Sequence, residues 1–196
     1  MPLLTVGSKI PSFLLKDAQG RSIGANDLRG RFTVVYFYPR DDTPGCTMQA
    51  CDFRDASRDL ASLGAEVVGV SADSAESHRA FAAKHGLPFR LIVDTPDSIG
   101  RAPLAMKFGA WQRKVMYGKS HMGIARTTFL IAPDCTVVRR WDKVKPEGHV
   151  QEVVAAIREL LASRSAKKRE ASQVAAKAKA HAKAKAKKKA SRLARP

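Results

Sequence analysis

The chain has 196 residues, 44% of them hydrophobic, which is enough for one well-cored domain. Its formal charge is +17, and nine Lys and four Arg against one Glu place +12 of it in residues 163–196. Three cysteines are too few for a disulfide-stapled secreted scaffold, no apolar run reaches the length of a membrane span, and the N-terminus lacks the basic, apolar and small-residue order of a secretory signal. A cytoplasmic protein in which cysteine does chemistry is the expectation.

The predicted elements alternate. Phe13–Lys16 and Arg21–Ile23 flank Asp17-Ala18-Gln19-Gly20, a turn composition, and read as a short hairpin. Arg31–Tyr38 is a β-branched and aromatic run, hence a buried strand. A helix opens at Pro44, with Ala50, Phe53, Ala56 and Leu60 turned inward. Glu66–Ser71 is a second buried strand. Asp73 with Glu76 resembles a capping box and opens a helix to about His85. Phe89–Val93 is a third strand, and Thr95-Pro96-Asp97 starts a helix ending near Phe108-Gly109. Residues 110–125 have no clear period and read as a long loop. Thr127–Ala132 and Thr136–Trp141 form strands around Pro133-Asp134-Cys135. Val150, Val153, Val154, Ile157, Leu160 and Leu161 mark a last core helix. The order predicts an α/β domain over residues 1–162, with a mixed sheet covered by helices on both faces, compatible with a thioredoxin-like architecture.

Pro39 to Asp55 carries the chemistry. Thr43 is a good N-cap, whose hydroxyl can accept from an orphan N–H, and Pro44 suits the first helical position. Cys46 then lies in the first turn, where unpaired N–H groups and the helix dipole favour thiolate, the nucleophilic form. The Thr43-Pro44-Gly45 lead-in is expected to expose this sulfur at a turn, against the alternative of a buried, inert cysteine. Cys51 lies five positions on in the same helix. In an intact helix that spacing puts the two Cα atoms roughly 8–9 Å apart and about 140° around the axis. A disulfide needs roughly 4.4–6.8 Å, so bonding these two requires local unwinding.

Pro39-x-x-x-Thr43-x-x-Cys46 resembles the active-site signature of the peroxiredoxins. The longer run from Tyr36-Phe37-Tyr38-Pro39 through Asp41-Asp42-Thr43-Pro44-Gly45-Cys46-Thr47 to Ala50-Cys51 and Phe53-Arg54-Asp55 resembles the peroxiredoxin Q subfamily, also called bacterioferritin comigratory protein. So do Val68–Ser74, Lys84–Phe89 and Met122–Ile131. The resemblance covers roughly residues 3–160. It implies a thioredoxin fold and thiol-dependent reduction of hydrogen peroxide and organic hydroperoxides, including alkyl hydroperoxides. It also implies a set of roles. Cys46 is the peroxidatic cysteine, passing through a sulfenic acid, and Cys51 resolves it as an intramolecular disulfide. Thr43 hydrogen-bonds thiolate and peroxide, Pro39 shields the pocket, and Arg126 faces the thiolate. Thioredoxin or a similar dithiol reductant returns the enzyme. The bland alternatives are a surface charge for Arg126, a helix cap alone for Thr43 and a buried small residue for Cys51.

Cys135 occupies a turn position that suits Gly, and reads as a non-catalytic, exposed thiol. The five histidines show no ligand spacing with the cysteines, so no metal is expected, and no cofactor is implied. Trp111 and Tyr117 either line the pocket or pack under the loop.

Residues 163–196 read as a disordered basic tail. Lys/Ala alternation gives a helix no apolar stripe, and like charges repel, although both residues favour helix intrinsically. The composition resembles Lys/Ala-rich linker-histone-like tails. With no aromatic residue for stacking, any DNA or RNA binding would be backbone-driven and salt-sensitive. That binding would associate the protein with the nucleoid; a membrane finds almost no apolar anchor in the tail. Two other readings stand beside the peroxidase: a nonspecific nucleic-acid-binding protein with an incidental core, and a thiol–disulfide oxidoreductase without peroxidase activity. The second normally separates its cysteines by two residues, and here four intervene.

Overall fold

The computed structural model describes residues 2–116 and 119–193. Its elements in chain order are β1 (Leu14–Asp17), β2 (Ser22–Gly24), a 3-10 turn (Ala25–Leu28), β3 (Phe32–Phe37), α1 (Pro44–Asp55), α2 (Ser57–Ser62) and β4 (Ala65–Ser71). There follow α3 (Ala75–His85), β5 (Arg90–Val93), α4 (Pro103–Lys107), β6 (Trp111–Met116), β7 (Lys119–Ile124), β8 (Thr127–Ile131), β9 (Val137–Trp141) and α5 (His149–Leu193).

Seven strands form one mixed sheet in the order β2-β1-β5-β4-β3-β8-β9. β3, β4 and β5 run parallel, and β8 lies antiparallel to β3 in the register Val35↔Phe129. Every residue of β3 and β8 is buried, Thr33, Thr127 and Thr128 included, as befits strands covered on both faces. Alternation along β3 sorts its side chains between two layers. Val35 and Phe37 join Leu104, Ala105 and Phe108 in one core, with Phe37 and Phe108 rings 5.2 Å apart. On the other face Tyr36 stacks on Phe53 of α1 at 4.9 Å, and Tyr38 meets Phe81 of α3 at 6.3 Å. This is the thioredoxin-like α/β fold that the sequence implies.

Several elements depart from expectation. The helix from Pro44 is two helices, separated at Ala56. Ser74, not Asp73, caps α3 by accepting from the Ser77 N–H, because the Asp73 carboxylate is taken by Ser71 Oγ and the Asp41 N–H. The helix expected from Thr95 shrinks to Pro103–Lys107. Asp97 instead folds a turn by accepting from the Ile99 and Arg101 N–H groups, a local bond that competes with helix. Within residues 110–125, read as a long loop, Trp111–Met116 and Lys119–Ile124 pair as antiparallel strands β6 and β7 outside the main sheet.

The described residues to Val154 form one compact unit, and those from Ala155 form a second. Within the first, Val150 and Val153 of α5 are buried. The α5 assignment runs to Leu193. Ala and Lys are among the strongest helix formers, and that local propensity carries the helix on. No described helix is long and apolar enough to cross a membrane.

Candidate active site

β3 and the loop after it deliver Cys46. The loop is pinned at two successive aspartates. Asp41 accepts from Tyr38 Oη at 2.7 Å and Ser77 Oγ at 2.7 Å, and lies 2.8 Å from His78 Nδ1. Its N–H donates to Asp73. Burial pushes the Asp41 carboxyl up, but the His78, Ser77 and Tyr38 hydrogen bonds outweigh it and hold the acid below its ordinary range. Asp41, Asp73 and His78 bring ligand-type atoms within 4.8 Å of one another; in this structure those groups bond to one another and to neighbours, fixing the loop. Asp42 has φ +55° and accepts from Lys84 Nζ at 2.8 Å.

Thr43 is the N-cap of α1 and Pro44 its first residue, as the sequence predicts. The expected capping bond is absent: Thr43 Oγ1 donates to the Arg40 carbonyl at 3.1 Å. That bond closes the loop on itself and leaves the oxygen's lone pairs as acceptors. Cys46 is 1% exposed, so the turn does not leave the sulfur open to solvent. Arg126, in the β7–β8 connection, covers it. Arg126 Nη2 donates to Cys46 Sγ at 3.3 Å, and Nη1 donates to Gln49 Oε1 at 2.7 Å. The planar fork thus spans two groups one helical turn apart. Gly45 makes room for it: a Cβ there would stand 3.2 Å from Arg126 Nη2.

The structure brings Cys46 and Arg126 together. Pro39 lies exposed at the end of β3, and Thr43 makes its side-chain bond to Arg40 rather than to the sulfur. Cys51 is half-buried on another side of α1, with Sγ 3.9 Å from His85 Nδ1. All three cysteines are free thiols. Cys135, expected to be exposed, is 5% exposed at φ +65°, and its thiol donates to the Ala25 carbonyl. Trp111 packs against the main core; Tyr117 lies outside the described residues.

Four residues around the site were not singled out from sequence. Gln49 orients Arg126, and its i+3 spacing from Cys46 was the available signal. Tyr36 lies under α1, where burial, with Cys46 and Asp41 nearby, holds its phenol far above the ordinary range. Burial and Arg126 push the Lys114 ammonium down, with Cys46 opposing. His149 is buried with Nε2 2.9 Å from Thr128 Oγ1, and burial and Arg126 lower it to about 4. A nearly dry sulfur with a fixed guanidinium is equipped to attack an electrophile small enough to reach it, while the guanidinium takes up developing negative charge.

The AhpC/TSA family profile matches residues 6–140. The chain belongs to the AhpC/TSA family. Within it the similarity runs to peroxiredoxins of the Bcp and Q type. Peroxiredoxin Bcp of Bacillus subtilis is 41% identical over 157 residues, covering 80% of this chain and 97% of the relative. Chloroplastic peroxiredoxin Q of Sedum lineare is 38% identical, covering 80% of each. Among solved structures, Xanthomonas campestris peroxiredoxin Q superposes with a TM-score of 0.69 at 39% identity, over 75% of this chain and 90% of that one. A cysteine-to-serine mutant of Xylella fastidiosa PrxQ gives a TM-score of 0.74 at 32% identity, over 82% and 99%. The chain is a peroxiredoxin enzyme, a thiol-dependent peroxidase of the Bcp/peroxiredoxin Q group.

Proposed function

We propose that Cys46 is the peroxidatic nucleophile and Cys51 its resolving partner, acting on hydrogen peroxide and alkyl hydroperoxides. The 3.3 Å contact from Arg126 Nη2 to Cys46 Sγ carries this reading. The Cys46 thiolate attacks one peroxide oxygen, the O–O bond breaks, and the departing oxygen leaves as water or alcohol after taking a proton. Arg126 supplies fixed donors for the charge that grows on that oxygen. Thr43 Oγ1, with its proton committed to Arg40, is left to accept from a peroxide O–H. Pro39 takes its shielding role from the family motif. A Xanthomonas campestris bacterioferritin comigratory protein has been studied for alkyl peroxide reduction in trapped intermediate and ligand complexes, which supports the substrate class.

The Cys46 sulfenic acid then condenses with Cys51. Both residues lie within α1, so the helix start must open before the sulfurs meet. A dithiol protein of the thioredoxin kind would reduce the disulfide. The test is peroxide consumption with a thioredoxin-regenerating system. Loss of turnover in Cys46→Ser, with turnover kept in protein ending at residue 162, supports the assignment; the reverse pattern sinks it.

Residues 163–196 are a second functional element on this proposal. Their charge of +12 and lack of aromatics suit nonspecific contact with DNA or RNA phosphates. This contact would keep the peroxidase near the nucleoid. A thiol–disulfide oxidoreductase is the weaker reading, since it leaves the Arg126 contact without a purpose.

A further inference from the structure

One cluster is not used by the peroxide step. Cys51 Sγ lies 3.9 Å from His85 Nδ1, and His85 Nε2 lies 3.0 Å from Asp42 Oδ1. The carboxylate is an acceptor, so Nε2 carries the shared proton and Nδ1 presents its lone pair toward the thiol. Three further contacts hold the ring. Phe81 packs edge-on at 5.1 Å, Arg54 Nη1 donates to the His85 carbonyl at 2.8 Å, and Lys84 Nζ holds the other Asp42 oxygen at 2.8 Å. Thiol, imidazole and carboxylate in this order form a nucleophile, a base and a group that orients the base. The sequence hides it, because Asp42, Cys51 and His85 come from a loop and two helices.

We propose that His85, oriented by Asp42, is the general base that takes the proton from Cys51 during resolution. The proposal rests on Cys51 being the resolving cysteine. The Cys51 S–H bond breaks and its proton passes to His85 Nδ1. The sulfur electron pair forms the S–S bond to Cys46 as the S–O bond of the sulfenic acid breaks. Hydroxide leaves and becomes water with a proton returned from His85 through solvent. Cys51 is oxidised, the Cys46 sulfenic sulfur is reduced, and no outside oxidant is needed. Proton transfer can precede unwinding, so the nucleophile is formed while α1 is intact. Asp42 is a positioning residue that also stands one residue before the N-cap of the helix that must open.

The experiment follows full-length reduced protein after stoichiometric hydrogen peroxide, quenched at intervals with a thiol alkylator and resolved by mass into sulfenic and disulfide forms. His85→Ala should slow conversion of the sulfenic form to disulfide by about 100-fold at pH 7. His85→Gln keeps a donor for Asp42 but supplies no base, and should be equally slow. Asp42→Asn should be intermediate. Added imidazole should restore the rate in His85→Ala. Formation of the Cys46 sulfenic acid in each variant reports an intact fold. Conversion at the unsubstituted rate in both His85 variants at pH 7, with the Cys46–Cys51 disulfide still forming, overturns the base and leaves the resolver standing. Absence of that disulfide in the unsubstituted protein overturns both.

Discussion

Cys46 and Cys51 share one unbroken helix and face different neighbours. Cys46 meets the Arg126 guanidinium at 3.3 Å, while Cys51 meets the His85 imidazole at 3.9 Å. Each sulfur has its own polar partner, and the helix keeps the two apart. The chemistry proposed here needs both conditions in turn, a closed helix for peroxide and an open one for the disulfide.

Arg126 should matter by its shape as well as its charge. Arg126→Ala removes two donors, and kcat/KM for peroxide should fall by about 100-fold or more. Arg126→Lys should recover only part of this, because one ammonium cannot reach both Cys46 Sγ and Gln49 Oε1. Steady-state kinetics on the two variants checks it; equal rates for Lys and Arg would contradict it.

Gly45→Ala tests how closely that guanidinium must sit. The new methyl group meets Arg126 Nη2 at 3.2 Å and Pro146 Cγ at 3.4 Å. A displacement of a few tenths of an ångström should cut the rate of Cys46 oxidation by about tenfold, with little change in thermal midpoint.

Most of the fold was legible because its central strands are rich in β-branched and aromatic residues and its helices have a periodic inward face. The start of α1 was marked by Thr43 and Pro44. The β6–β7 hairpin was not, since Trp111-Gln112-Arg113-Lys114 has no apolar alternation. Asp97 misled because the same residue type starts helices and closes turns. The Cys46–Arg126 pair came from the family motif; no local pattern joins residues 80 apart. Gln49 was within reach of a helical-wheel argument. His85 was not, because its pairing with Cys51 is tertiary. The turn composition around Cys135 predicts an exposed thiol, yet the turn packs inward against Ala25.

His149 should make the protein acid-sensitive. Burial and Arg126 hold its folded value at about 4, against 6.5 ordinarily. The unfolded chain therefore binds the proton first. Stability is full above about pH 6.5 and declines as the pH falls toward 4, by about 3 kcal/mol from this residue. Denaturant melts of His149→Gln at pH 7 and pH 4.5 should show a smaller difference than those of the unsubstituted protein.

Gly69 sits between Tyr36 and Leu91 in the middle of the sheet. A Cβ there would stand 2.7 Å from Leu91 Cδ2 and 2.9 Å from Tyr36 Oη. Gly69→Ala should cost about 1–3 kcal/mol by overpacking, read from the midpoint of urea unfolding.

The tail and core should separate cleanly. Protein ending at residue 162 should lose duplex-DNA retention at low salt, while full-length protein should lose it steeply as salt rises. Equal retention by both forms would remove the tail from that role.

The most direct test is to treat reduced full-length protein with one equivalent of hydrogen peroxide and map the cysteines by mass. A Cys46–Cys51 disulfide is expected, with Cys135 still reduced and a partial loss of helical circular dichroism as the start of α1 opens. A persistent Cys46 sulfenic acid, or a disulfide formed with α1 still intact, would contradict it.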